Sequence, residues 1–170
     1  MNTEIMNKMN DIEYGYLDKD GIIHRGSDDE FADNYVLETP DEVLTNKIGV
    51  CWDQVELERK LFSENNIKFN TYFIVHYDDN TCPTHTFLIY EYNNKYYWFE
   101  HSWEIHRGIY EYDDELSAIK DIKKKFIESE IKDEYNPMNL CIYKYNKPKY
   151  GIGCLDFYKH CESGENIIID

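Results

Sequence analysis

Placed at 100° intervals, residues Cys51 to Ser63 put Cys51, Val55 and Phe62 on one stripe, with Leu57 and Leu61 to one side and Trp52 to the other. An apolar arc this wide predicts a central helix covered on most sides. Gln54 and Glu58 fall inside the arc and need buried partners, Glu58 an arginine or a lysine, whereas Asp53, Glu56 and Lys60 point the opposite way. Upstream, Thr39, Pro40 and Glu42 spell a capping box and predict a short helix ending before Gly49. Past Asn65-Asn66, aromatic and β-branched runs over 67–77, 84–92 and 95–103 predict consecutive antiparallel strands, with a shorter strand over 109–112. An acidic start at Asp113-Asp114-Glu115 then opens a helix on which Leu116, Ile119, Ile122, Phe126 and Ile127 recur at helical spacing. A strand over 140–145 follows. A last helix, entered through the turn "GIGC" at 151–154, puts Cys154, Phe157, Tyr158 and Cys161 on one face. The first thirty residues read as an irregular or hairpin-forming lead, with Asp20-Gly21 as the turn, and no function is legible in them. The whole predicts an α+β fold, a cysteine-headed helix packed on an antiparallel sheet, in one domain over 1–170. Its core spans about 31–112, with C-terminal helices and a strand over 113–170.

Composition narrows the function classes. The 170 residues are 42% hydrophobic, enough for one domain with a real core. Thirty-four acidic against 18 basic residues give a net charge of −16, which repels a phosphate backbone, and Lys120 to Lys125 is the one locally basic stretch. No nucleic-acid partner is expected. The N-terminus lacks the apolar core of a signal peptide and no segment reaches the length of a membrane span, so a cytoplasmic location with no membrane partner is expected. Five cysteines without tight paired spacing predict reduced thiols.

Candidate chemistry lies in a hairpin and a helix start. With Asn93-Asn94 as the two-residue turn, paired residue numbers sum to 187, so Phe87 faces Glu100 and His85 faces Ser102. His85 and Glu100 then project from one face as diagonal neighbours within reach of a hydrogen bond, and His101 points away. A turn shifted by one residue would put His101 beside His85 instead. Cys51, at the head of a helix, lies where unsatisfied N–H groups and the macrodipole favour a thiolate, and a nearby imidazolium adds to this. A helix packing its Cys51 end against the His85–Glu100 face makes a triad: Cys51 attacks, His85 carries the proton, Glu100 orients the ring.

"GVCWDQ", "THTF" and "YYWFEHSW" together resemble the transglutaminase-like superfamily of papain-type thiol enzymes. In that superfamily a cysteine heads a helix, a histidine opens a following strand and an acid sits on the next. The resemblance spans about Thr39 to Tyr112 and implies that Cys51, His85 and Glu100 are nucleophile, base and orienting acid. It implies acyl transfer on a peptide, protein or small amide substrate, by hydrolysis or to an amine, with no diffusible cofactor. Two departures bear on it. The third position is more often aspartate, and 170 residues leave no room for the flanking domains and calcium sites of the large cross-linking enzymes. The superfamily also holds inactive modules, so a binding or interaction module with an aromatic groove is the alternative from another class.

Other residues have plainer readings beside the chemical one. Gln54 is either a satisfied buried amide or an oxyanion donor beside Cys51's own backbone N–H. Trp52, Trp98 and Trp103 are core or cleft-wall residues, and Trp52 and Trp103 touch substrate only if a cleft forms. His76, Cys82, His85, His101 and His106 match no zinc spacing and alternate between strand faces, so no metal is expected. Oligomeric state is not written in the chain.

Overall fold

The computed structural model describes residues 2–132 and 134–170. In chain order the elements are α1 (Asn2–Lys8), β1 (Tyr16–Leu17), β2 (Ile23–His24), α2 (Phe31–Asn34), α3 (Pro40–Asn46), α4 (Cys51–Glu64), β3 (Phe69–His76), β4 (Thr84–Tyr92), β5 (Lys95–Glu100), β6 (Gly108–Tyr112), α5 (Glu115–Glu130), β7 (Leu140–Tyr145), α6 (Cys154–Glu162) and β8 (Glu165–Asn166). β1 and β2 form a small ribbon. The other strands form one antiparallel sheet in the order β6-β5-β4-β3-β7-β8. The fold is therefore α+β. Among the described residues no helix is long and apolar enough to cross a membrane.

Both faces of the sheet are covered, which is why its central strands read as nearly continuous apolar runs. Leu88, Tyr90 and Phe99 pack with Leu57, Leu61 and Phe62 of α4 on one face. Phe87, Ile89 and Trp98 pack with Ile119, Ile122 and Phe126 of α5 on the other. A third cluster joins Trp52 to Phe73, Val75, Phe157 and Cys161 between α4, β3 and α6. β7 lies beside β3 inside the sheet, so the segment beyond residue 112 builds the scaffold rather than trailing from it.

Several elements differ from what the chain led one to expect. The lead contains α1 as well as the hairpin: Ile5, Met9 and Ile12, at helical spacing, are buried against α4. Asp53 and Glu56, placed outward by helical periodicity, are fully buried, because α4 is covered on that side too. Asp53 accepts from the Tyr35 hydroxyl (2.8 Å) and the Glu38 N–H (3.0 Å). Glu56 pairs with Arg59 (2.8 Å), whose Nη2 also donates to Thr71 (2.6 Å). Among the described residues no lysine or arginine pairs with Glu58 as expected, and its Oε2 is buried and unpartnered. Burial and the nearby Glu100 charge push its carboxyl well above the usual range. Leu116, expected on the apolar face of α5, is 45% exposed in the first turn.

β5 ends at Glu100 rather than Trp103. The carboxylate of Glu100 accepts from the Trp103 N–H (2.8 Å) and the Ser102 hydroxyl (3.1 Å), turning the chain away from the ladder into a 3-10 turn over Glu104–His106.

Candidate active site

Cys51 is the first residue of α4 because the chain around it supplies a helix start. Val50 is extended at the N-cap, and Asp53, three residues on, accepts the Val50 N–H through Oδ2 at 2.9 Å. Gly49 lets the turn close tightly, since a Cβ there would lie 3.0 Å from the Asp53 Cβ. Burial pushes the Asp53 carboxyl up to about 8, opposed by the donors it accepts.

The β4–β5 hairpin takes the expected register, from Tyr92↔Lys95 to Leu88↔Phe99. Asn93 and Asn94 turn it with φ of 50° and 59°, the left-handed pair a tight hairpin requires. His85 and Glu100 consequently share a side, and His85 Nε2 meets Glu100 Oε2 at 2.7 Å with both residues buried. Cys51 lies close enough to His85 to favour the charged form of the ring. Trp103 covers the imidazole, ring centroids 4.9 Å apart. His101, on the opposite side, donates from Nδ1 to Gln54 Oε1 at 2.6 Å.

One geometric expectation is corrected. By pleat parity His85 and Glu100 belong with Phe87 and Trp98, on the face that α5 covers, whereas α4 packs on the other face. The meeting happens where the sheet is incomplete. The β4–β5 ladder stops at Leu88↔Phe99, so Thr84 to Phe87 have no β5 partner and His85 is approachable from that open margin.

Electrostatics separate the histidines. Burial works to lower the pKa of His85, but the Glu100 carboxylate and the neighbouring Cys51 thiol outweigh it and push the imidazole up to about 10. Burial likewise opposes the charge on Glu100, yet His85 and the Trp103 and Ser102 donors hold its carboxyl below the usual range. Burial, with the Arg107 charge, pushes His101 down to about 4 and keeps it neutral.

The remaining candidates divide. Gln54 donates from Nε2 to the Gly49 carbonyl (2.8 Å) and accepts from His101, so its amide is occupied at both ends. Trp52 is 3% exposed and stacks on Phe157 at 4.2 Å, a core residue whose edge reaches the cleft. Trp103 stands in the cleft wall beside His85. That cleft consists of two adjoining depressions, one of about 360 Å³ holding His85 and one of about 860 Å³ holding Cys51. Tyr14, Ser27, Thr84 and Glu130 line both. The lead segment thus supplies part of the site, through residues the chain did not mark. Nothing in the local spacing of Tyr14 or Ser27 points to this, because they arrive by packing. Asp28, Asp29, Glu104 and Glu130 against Lys132 make the walls acidic.

Among the described residues no three His, Cys, Asp or Glu side chains converge to hold a metal ion. His76 accepts from the Asn136 N–H (3.2 Å), Cys82 meets the Tyr158 hydroxyl (3.8 Å), and His101 is held by Gln54. All five cysteines are free thiols.

Comparison with curated proteins and with solved structures returned no match. A family model described as the transglutaminase-like domain matches residues 5–131, which takes in the N-terminal lead and α5 as well as the helix and hairpin that carry the resemblance. With three quarters of its length inside that match, the chain belongs to the transglutaminase-like domain family.

Proposed function

We propose that this protein is a thiol-dependent acyl-transfer enzyme, a cysteine hydrolase or acyltransferase, acting on a peptide, protein or small amide through a thioester on Cys51. One observation carries the reading: buried His85 is bonded to Glu100 at 2.7 Å, with the Cys51 thiol close enough to favour the charge on the ring. Transfer of the thiol proton to His85 gives a thiolate and imidazolium, which Glu100 stabilises and holds in orientation. The sulfur adds to the acyl carbon, and the carbonyl π pair moves onto oxygen. As that oxyanion collapses, the C–N bond breaks and His85 gives its proton to the departing amine, leaving the acyl thioester. Water, deprotonated by the now neutral His85, attacks the thioester and releases a carboxylic acid; an amine in its place gives a new amide. Each route returns the thiol.

No diffusible cofactor takes part, and none of these steps needs a metal. The acidic cleft walls favour neutral or cationic substrates and disfavour nucleic acid. Five free thiols suit a reducing compartment such as the cytoplasm. The 4% exposure of Cys51 favours a second reading, a binding module that keeps the fold without turnover.

Iodoacetamide labelling followed by peptide mass mapping separates the two. The enzyme reading expects Cys51 to alkylate fastest of the five thiols at pH 6 to 7 and His85→Ala to remove that advantage. Slow, uniform labelling of all five would favour the binding module.

A further inference from the structure

The oxyanion formed at Cys51 needs donors, and the side chains nearest in sequence are spoken for. The Gln54 amide is bonded to Gly49 and His101, and Trp52 is stacked in the core. Backbone N–H groups in the first turn of α4 have no partner within the helix, so that of Cys51 is one available donor. The other wall of the cleft comes from the lead segment.

Resting on the acyl-transfer reading above, we propose that the Tyr14 hydroxyl is the side-chain donor of the oxyanion site, acting with the Cys51 backbone N–H on the acyl oxygen. Tyr14 lines both depressions and so stands where the Cys51 half of the cleft meets the His85 half. Tyr14 is 41% exposed overall, Ser27 lines the same two depressions beside it, and the Cys51 sulfur is near enough to act on its phenol electrostatically.

Its position is built. The Glu13 N–H donates to the Lys47 carbonyl at 3.0 Å, and the Gly49 N–H donates to the Glu13 carbonyl at 3.1 Å. The residue before Tyr14 is therefore tied to the backbone two residues ahead of Cys51. On the other side Gly15 passes so close to the β2 backbone that a Cβ would lie 2.3 Å from the His24 carbonyl oxygen. Ser27 is anchored through its neighbour Asp28, which accepts from the Tyr16 hydroxyl (2.6 Å) and pairs with His24 (2.6 Å). A donor fixed before the reaction need not reorganise as charge develops, which is what gives such donors their effect. Burial of the hydroxyl, then the Cys51 and Glu130 charges, raise the Tyr14 pKa well above its ordinary value. The phenol stays protonated through the working range, and no proton leaves it: it polarises the oxygen and releases it when the C–N bond breaks.

Two reactions of one thiol isolate this role. Acylation of Cys51 by p-nitrophenyl acetate passes through a tetrahedral oxyanion, whereas alkylation by iodoacetamide displaces iodide at a saturated carbon and forms none. Tyr14→Phe should slow acylation about ten- to a hundredfold and change alkylation by less than about twofold, with the melting temperature retained. Ser27→Ala, which removes the hydroxyl that lines both depressions with Tyr14, should slow acylation in the same direction by less. Unchanged acylation in Tyr14→Phe overturns the proposal, as does an equal fall in both reactions, which would make Tyr14 a prop for the thiol. A wild-type Cys51 no faster than the other thiols towards either reagent overturns the acyl-transfer reading itself and this inference with it.

Discussion

Two helices of this protein begin with a cysteine, and they have different surroundings. Cys51 opens α4 after an extended Val50, Cys154 opens α6 after an extended Gly153, and both line the larger depression of the cleft. The macrodipole and unsatisfied N–H groups are common to the two helix heads. What differs is the partner. Cys51 faces an imidazole that Glu100 holds charged, whereas Cys154 has Cys82 for a neighbour, and burial followed by that second sulfur pushes its thiol up to about 11. A helix start is therefore a permissive position and not a sufficient one. What separates the two heads is the imidazole beside Cys51.

The sharpest way to break this comparison is to remove each sulfur in turn. Cys51→Ala should lower acyl turnover, or the burst with p-nitrophenyl acetate, by at least about 10³-fold, since a nucleophile lost from a concerted group removes most of its effect. Retained turnover in that variant would move the chemistry elsewhere in the cleft.

A smaller effect is expected in stability against pH. The folded pKa of His85 is raised to about 10 from an ordinary value near 6.5, so its contribution is complete below about pH 6.5 and is lost as pH rises through 10. Glu100 is shifted the other way: its contribution is present above its ordinary pKa and lost as acid reaches the lowered folded value. Melting temperature should fall between pH 6.5 and 10 by several degrees more in the wild type than in His85→Ala. Parallel curves would show that the imidazole is not held charged.

The smallest expected effect belongs to the other helix head. Cys154→Ala should change acylation by less than about twofold and stability by about 1 kcal/mol or less, because a partly buried thiol with no charged partner behaves as a small hydrophobe. A loss comparable with that of Cys51→Ala would erase the distinction between the two.

Much of the scaffold was written locally. The wide apolar arc of α4, the capping box before α3, the Asn93-Asn94 turn and the aromatic runs of β3 to β5 each depend on residues within a few positions, where dihedral preference and side-chain period act directly. The hairpin register followed from the turn, and with it the choice of His85 over His101. α1 was missed: the lead read as irregular or hairpin-forming, and a helix of 7 residues carries too short a period to stand out.

Tertiary packing decided the rest. Periodicity placed Asp53 and Glu56 outward, and their burial came from segments closing over α4 from far along the chain. Glu58 lacked its expected cation because Arg59 turned to Glu56 and Thr71. The open margin of β4 exists because β5 leaves the ladder at Glu100, and Tyr14 and Ser27 reach the cleft only through contacts with residues that lie far from them in sequence. By itself the sequence determined most of the helices and strands, the hairpin register and the family likeness, because these are set by neighbours along the chain. Which thiol meets a charged imidazole, and which side chains wall the space above it, was settled by the folded chain alone, since distance through space and exclusion of water are not properties of local order.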